Sequence, residues 1–161
     1  MSPDELKGAM QLSRTIDLYY NSESWQKVFG KLVCSHSEFL NDFTSHLKEM
    51  MVLDSPISSE RRGVILYEYC KRHHPEHLSD VSIAWIQGGF SLKKEPAGTI
   101  IKVKNLCTFL EESNTEMECQ YGEASPTHRY YLYTYEDIKI LFGYDSATHQ
   151  PAPVFMANLN F

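Results

Sequence analysis

The sequence predicts an α+β fold, an N-terminal bundle of about five helices followed by a small antiparallel sheet. Three observations carry that expectation. Apolar residues recur at three- and four-residue steps as far as Phe90, the pattern then turns β-branched and alternating, and the two patterns never interleave. Helices followed by strands favour segregated packing over a doubly wound parallel sheet.

Ser2-Pro3-Asp4-Glu5 combines an N-cap, a proline at the first helical position and a carboxylate three residues after the cap. Such a start satisfies orphan N–H groups and opposes the positive end of the helix dipole. The helix that follows carries Leu6, Met10, Ser13, Ile16 and Tyr20 as its stripe, widened by Ala9, Leu12 and Tyr19, and ends near Asn21. Ser24 caps a short second helix with Trp25, Val28, Phe29 and Leu32 on one face. Ser35-His36-Ser37-Glu38 reads as a capping box for a third, carried by Phe39, Leu40, Phe43, Leu47, Met50 and Met51. Asp54-Ser55-Pro56 breaks it, and Ser58 or Ser59 caps a fourth helix that turns Val64, Leu66, Tyr67 and Cys70 inward and stops at Pro75. The fifth runs from Leu78 through Val81, Ala84 and Trp85 to Gly88-Gly89, which can adopt a left-handed C-cap.

Strands are expected at Thr99–Lys104, Glu116–Tyr121, His128–Tyr135, Ile138–Tyr144 and Val154–Leu159, separated by Gly122, Pro126 and Asp145-Ser146. The last apolar residues, Leu159 and Phe161, should be tied into the sheet. The change of pattern falls near residues 88–98, where SLKKEPAG is the one candidate linker. A helical lobe over 1–90 and a β lobe over 91–161 should therefore form one compact unit.

Length and charge narrow the function classes. At 161 residues the chain suits one domain with a sizeable core. A net charge of −6 gives duplex nucleic acid or an anionic membrane no long-range attraction. No apolar run reaches the ~18 residues of a membrane span, and MSPDELKGAM lacks the apolar stretch of a secretory signal. A cytoplasmic protein with reduced thiols is expected. Cys34, Cys70, Cys107 and Cys119 lie too far apart for a zinc or iron–sulfur turn and read as small, partly buried hydrophobes.

His73-His74-Pro75-Glu76-His77 is the densest chemical cluster. Its imidazoles and carboxylate are zinc ligands by type, and His73 and His77 have the spacing of a helical pair. Pro75 works against that pairing, because it restricts His74 and should leave His73 and His77 on opposite sides of a helix break. The alternative is a polar helix end, where Lys71, Arg72 and His73 oppose the negative end of the dipole. In HRYYLYTYEDIKILFGYD, alternation puts Tyr131, Tyr133 and Tyr135 on one face and Tyr130, Leu132 and Thr134 on the other. Glu136, Asp137 and Asp145 beside them favour cross-strand packing over base stacking. Lys93, Lys94, Lys102 and Lys104 have no glycine-rich phosphate cradle, and Glu60-Arg61-Arg62 reads as an exposed first helical turn. GxSxG, HExxH and EF-hand patterns do not occur, so no catalytic residue is assigned.

The run LSRTIDLYYNSESWQKVF, then EFLNDFTSHL, PISSERRGVILYEYC and HRYYLYTYEDIKILFGYD resembles the C-terminal domain of unknown function that follows the radical-SAM barrel in bacterial cobalamin-binding radical-SAM proteins, often named Fe–S oxidoreductases. Asp17 to Ser22 followed by Trp25 is its most specific part. The resemblance implies that an upstream cobalamin-binding domain and barrel of the same polypeptide carry the chemistry, through a [4Fe–4S] cluster, S-adenosylmethionine and, in some members, cobalamin. It implies no cofactor in this chain, which lacks both CxxxCxxC and DxHxxG and would be a separated C-terminal portion. The expected role is a non-catalytic accessory domain that positions substrate or partner beside the barrel. Tyr19, Tyr20 and Trp25 are its candidate docking surface, unless all three are core, since aromatics are enriched at interface centres. Two other readings remain open: a freestanding protein-interaction or ligand-binding module, and a small metal-dependent enzyme using His73, His74 and His77.

Overall fold

Ser2 opens α1 (Pro3–Tyr19) with a complete capping box, its hydroxyl accepting the Glu5 N–H at 3.2 Å while the Glu5 carboxylate accepts the Ser2 N–H at 2.6 Å. The computed structural model describes residues 2–94, 97–113, 115–148 and 150–160. Met1, Phe161 and the Glu95-Pro96 part of the linker lie outside them. After α1 come α2 (Gln26–Ser35), α3 (Phe39–Glu49), α4 (Ser59–His73), a 3₁₀ turn (Pro75–His77) and α5 (Leu78–Gln87). The remainder holds β1 (Thr99–Val103), α6 (Leu106–Ser113), β2 (Glu116–Tyr121), β3 (His128–Tyr135), β4 (Ile138–Asp145) and β5 (Phe155–Asn160). The protein is α+β, with helices preceding a five-stranded antiparallel sheet. It divides into two compact units, Met1–Ala84 and Trp85–Phe161, and the division falls inside α5.

In the first unit the buried face of α1 is not the stripe that hydropathy suggests. Leu6, Met10, Ile16 and Tyr20 are exposed, whereas Thr15, Leu18 and Tyr19 are buried. Thr15 enters the core because its hydroxyl is fully used, donating to the Gln11 carbonyl at 3.1 Å and accepting from Thr44 at 2.9 Å. Tyr19 stacks on Phe29 at 5.3 Å and meets Phe43 edge-on at 5.0 Å, and Phe39 stacks on Phe43 at 5.3 Å. The Tyr19 hydroxyl donates to the Arg62 carbonyl at 3.1 Å, and the Arg62 guanidinium donates back to the Leu18 carbonyl at 3.0 Å, fixing the end of α1 to α4. Ser58 is the N-cap of α4, with Leu66, Tyr67 and Cys70 buried and Val64 half-buried.

Two caps differ from expectation. α2 follows Trp25 and α3 follows Glu38, neither with a side-chain cap hydrogen bond, so the Ser35–Glu38 box does not form. α3 also ends at Glu49, before Met50 and Met51. Met51 takes the left-handed conformation (φ 56°), with its N–H on the Lys48 carbonyl at 2.9 Å and the Val52 N–H on the Leu47 carbonyl at 3.2 Å. This is a Schellman close built on methionine instead of glycine. Gly89 (φ 70°) closes α5 in the same way, and here the residue type suits the conformation.

In the second unit the strand order is β1-β3-β4-β5-β2, so β1 and β2 form opposite edges. The chain must cross the sheet between them, and α6 makes that crossing. Its Leu106, Phe109 and Leu110 pack on a core of Val103, Tyr130, Leu132, Leu141, Phe155, Ala157 and Leu159. This helix interrupts the succession of strands expected after Phe90; its single apolar turn is too short to show a helical period in sequence. Tyr131 pairs across strands with Phe142, the rings stacked at 5.7 Å, and Tyr144 meets both edge-on. The cysteines are a further correction: Cys70 is buried, but Cys34, Cys107 and Cys119 are exposed.

Candidate metal centre

α4 stops at His73 because Pro75 has no N–H to continue the helix and excludes its predecessor from the helical region. His74 accordingly sits at φ −142°, its N–H on the Cys70 carbonyl at 2.8 Å. The chain then tightens into the 3₁₀ turn, where the His77 N–H reaches the His74 carbonyl at 3.0 Å. That turn puts His74, Glu76 and His77 on the same side. They face His36, the C-cap residue of α2.

Ligand atoms of His36, His74 and Glu76 all lie within 4.8 Å of one another. His36 Nε2 is 3.2 Å from Glu76 Oε1 and 3.2 Å from His77 Nε2, and His74 Nδ1 is 3.7 Å from Glu76 Oε1. For zinc bonds of 2.0–2.1 Å, the donors of a tetrahedral site stand about 3.3–3.4 Å apart. The His36–Glu76 separation matches that spacing, while the His74–Glu76 separation and the 4.8 Å bound of the set are wider, so the three donors would draw together around an ion. The His36 and His74 rings lie 4.2 Å apart, and Phe39 meets His74 edge-on at 5.7 Å.

Proton bookkeeping shows an electron-rich corner. His77 Nδ1 is 3.0 Å from Asp80 Oδ2, and a carboxylate can only accept, so Nδ1 carries the hydrogen and a neutral His77 turns a lone pair on Nε2 toward His36. Lys31 Nζ donates to both Asp80 oxygens, at 2.7 and 2.8 Å. His36 Nε2 thus meets two acceptors at equal distance with at most one proton to offer. Burial holds His74 below the usual histidine range, favouring the neutral form that ligates metal. Glu76 is held below the usual carboxylate range, first by its own backbone N–H and then by the imidazoles of His77, His36 and His74.

Of the residues singled out in the sequence, His74 and His77 reach this centre and His73 does not. His73 lies on the exposed side of α4, its ring 4.6 Å from Tyr69. The helical pair His73–His77 is absent, as the proline argument requires, but the same proline curls His74, Glu76 and His77 together. His36 was legible only as part of a capping pattern, and nothing in its local sequence marks it as a ligand. Tyr19 and Trp25 are core residues with no exposed surface; the Trp25 indole donates to the Ser59 carbonyl at 2.9 Å. Tyr20 alone of the three candidate docking residues is exposed.

Comparison with protein-family models, curated proteins and solved structures finds no match to this chain. Among the described residues no helix is long and apolar enough to cross a membrane.

Proposed function

We propose that this chain binds a divalent transition-metal ion of the zinc class through His36, His74 and Glu76. The convergence of their ligand atoms within 4.8 Å carries this reading. Two imidazoles and a carboxylate suit a borderline first-row ion; magnesium and calcium prefer oxygen shells. The competing account is a hydrogen-bonded histidine–carboxylate network that closes the turn without metal. Titrating chelator-treated protein with Zn²⁺ by calorimetry separates the two. The expected result is one ion per chain, with His36→Ala and His74→Ala each weakening binding at least tenfold. Absence of binding, or binding indifferent to both variants, supports the network instead.

The second reading is the non-catalytic accessory domain implied by the radical-SAM resemblance, with the upstream barrel of the same polypeptide as partner and a cytoplasmic location. Its support in the structure is the row Leu6, Met10, Ile16 and Tyr20, which α1 leaves exposed at the N-terminal end of the chain. The reading frame upstream of the Met1 codon tests it. Several hundred further codons encoding CxxxCxxC support the accessory role, and an in-frame stop just before Met1 removes it. Metal binding and an accessory role are compatible.

A further inference from the structure

We infer that the outer face of α1 is the interface of an antiparallel two-fold dimer, so that the occupant of this face is a second copy of the chain. The inference does not depend on the metal centre, and it assigns the exposed row to that copy instead of an upstream barrel. Among the described residues eight large apolar side chains are exposed, and four of them, Leu6, Met10, Ile16 and Tyr20, belong to α1 and its C-cap. At 3.6 residues per turn these four fall within an arc of about 120°, opposite the buried Thr15, Leu18 and Tyr19. Half of the exposed large apolar residues are thus gathered on one helix face, which marks an interaction site.

The order of residues along the strip says which partner fits. Leu6 and Tyr20 each stand about 10.5 Å along the axis from Ser13, and Met10 and Ile16 each stand about 4.5 Å from it. A two-fold axis at Ser13 therefore sets Leu6 against the partner's Tyr20 and Met10 against the partner's Ile16, an isologous pattern in which each contact occurs twice. The exposed small residues Ala9 and Ser13 lie near the crossing, where they let the helix axes approach. Leu6, Ser13 and Tyr20 recur at seven-residue intervals, which suits a left-handed crossing.

Charge favours the antiparallel sense. Lys7 and Asp17 are both exposed and lie to the same side of the strip, Lys7 about 9 Å before Ser13 and Asp17 about 6 Å after it. The antiparallel two-fold turns each edge of the strip onto the same edge of the partner with its direction reversed. Lys7 then comes within about 3 Å, along the axis, of the partner's Asp17, and the pairing forms twice. A parallel pair turns each edge toward the partner's opposite edge, loses both pairings and aligns the two helix dipoles. Arg14 is drawn back from the strip, its Nε donating to the Leu53 carbonyl at 3.0 Å. A single helix of 17 residues buries less than a standard interface, so association should be weak, with a roughly micromolar dissociation constant.

Sedimentation equilibrium of the full chain from about 1 to about 200 µM tests this, beside Ile16→Glu, whose exposed position should leave the fold, followed by circular dichroism, unchanged. The unaltered chain should pass from monomer to dimer across that range, and Ile16→Glu should weaken self-association at least tenfold. Register is read by cross-linking. In a chain whose exposed cysteines Cys34, Cys107 and Cys119 are changed to serine, Leu6→Cys and Tyr20→Cys are prepared separately and mixed under mild oxidation. The mixture should form the disulfide between position 6 of one copy and position 20 of the other faster than either variant couples to itself. Faster coupling of each variant to itself indicates a parallel pair and overturns the proposal. So does a chain that stays monomeric at the highest concentration, which returns the strip to a different partner, and a dimer that Ile16→Glu leaves intact, which places the interface elsewhere. If Ile16→Glu does not fold, the mass of the unaltered chain and the cross-linking pattern still decide.

Discussion

The hydroxyls of Thr15 and Thr44 share a hydrogen bond of 2.9 Å in the buried seam between α1 and α3. Thr15 also donates to the Gln11 carbonyl, so Thr44 depends on Thr15 more than the reverse. Thr15→Val leaves the Thr44 hydroxyl buried without an acceptor and should cost about 1–3 kcal/mol. The Thr15→Val/Thr44→Val double variant should recover much of that loss. Urea unfolding of Thr15→Val, Thr44→Val and the double variant checks it, and simple additivity of the two single losses would contradict the pairing.

Metal that binds only the folded chain must stabilise it. At a free Zn²⁺ concentration 100 times the dissociation constant the gain is about 2.7 kcal/mol. For a chain of this length that raises Tm by roughly 5–10 °C. Addition of a chelator should reverse the shift, and His36→Ala, binding at least tenfold more weakly, should cut it by about half or more, in thermal melts followed by circular dichroism.

Met51 holds a left-handed conformation that L side chains take at a cost, and its side chain is 82 % exposed, so little packing compensates. Met51→Gly removes the strain while adding freedom to the unfolded chain. The net expected gain is about 0.5–1 kcal/mol. A lower urea midpoint in the variant would show that the methionine contributes contacts beyond its conformation.

Burial pushes the Cys70 thiol up to about 12, whereas Cys34, Cys107 and Cys119 are exposed. A disulfide reagent at neutral pH should titrate those exposed thiols in the native protein. Cys70 should join them only after denaturant is added, because the thiolate is the reacting species. Rapid modification of Cys70 in the folded chain would place it differently.

His46 and His74 are both held below the ordinary histidine value, burial being the leading cause in each. Below about pH 6.5 the unfolded chain therefore binds protons on these groups that the folded chain does not yet bind. Their contribution to stability is fully present above that pH and is lost as pH falls through the lower folded values. Metal-free protein should show a urea midpoint that declines steadily between pH 7 and pH 5. A midpoint rising over that interval would contradict the assignment for both groups.

How much of this was legible in sequence depends on how local each cause is. The strands Glu116–Tyr121 and His128–Tyr135 coincide with the alternating segments, and Ser2, Ser58 and Gly89 act at the helix ends where their residue types suggest. Hydropathy misassigned the inner face of α1, because Thr15 is made acceptable to the core by a partner on another helix. It also gave no sign of α6, which carries the chain between β1 and β2 at opposite edges of the sheet.

By itself the sequence determined the five helices that precede the sheet, its five strands and the break at Pro75, since capping, chirality and the missing proline N–H act over a few residues. Only the tertiary structure decided what that break is for. His36 and His77 are forty-one positions apart, and their approach to 3.2 Å depends on the end of α2 lying against the α4–α5 connection. Local chemistry selects the turn, while packing selects which side chains the turn will face.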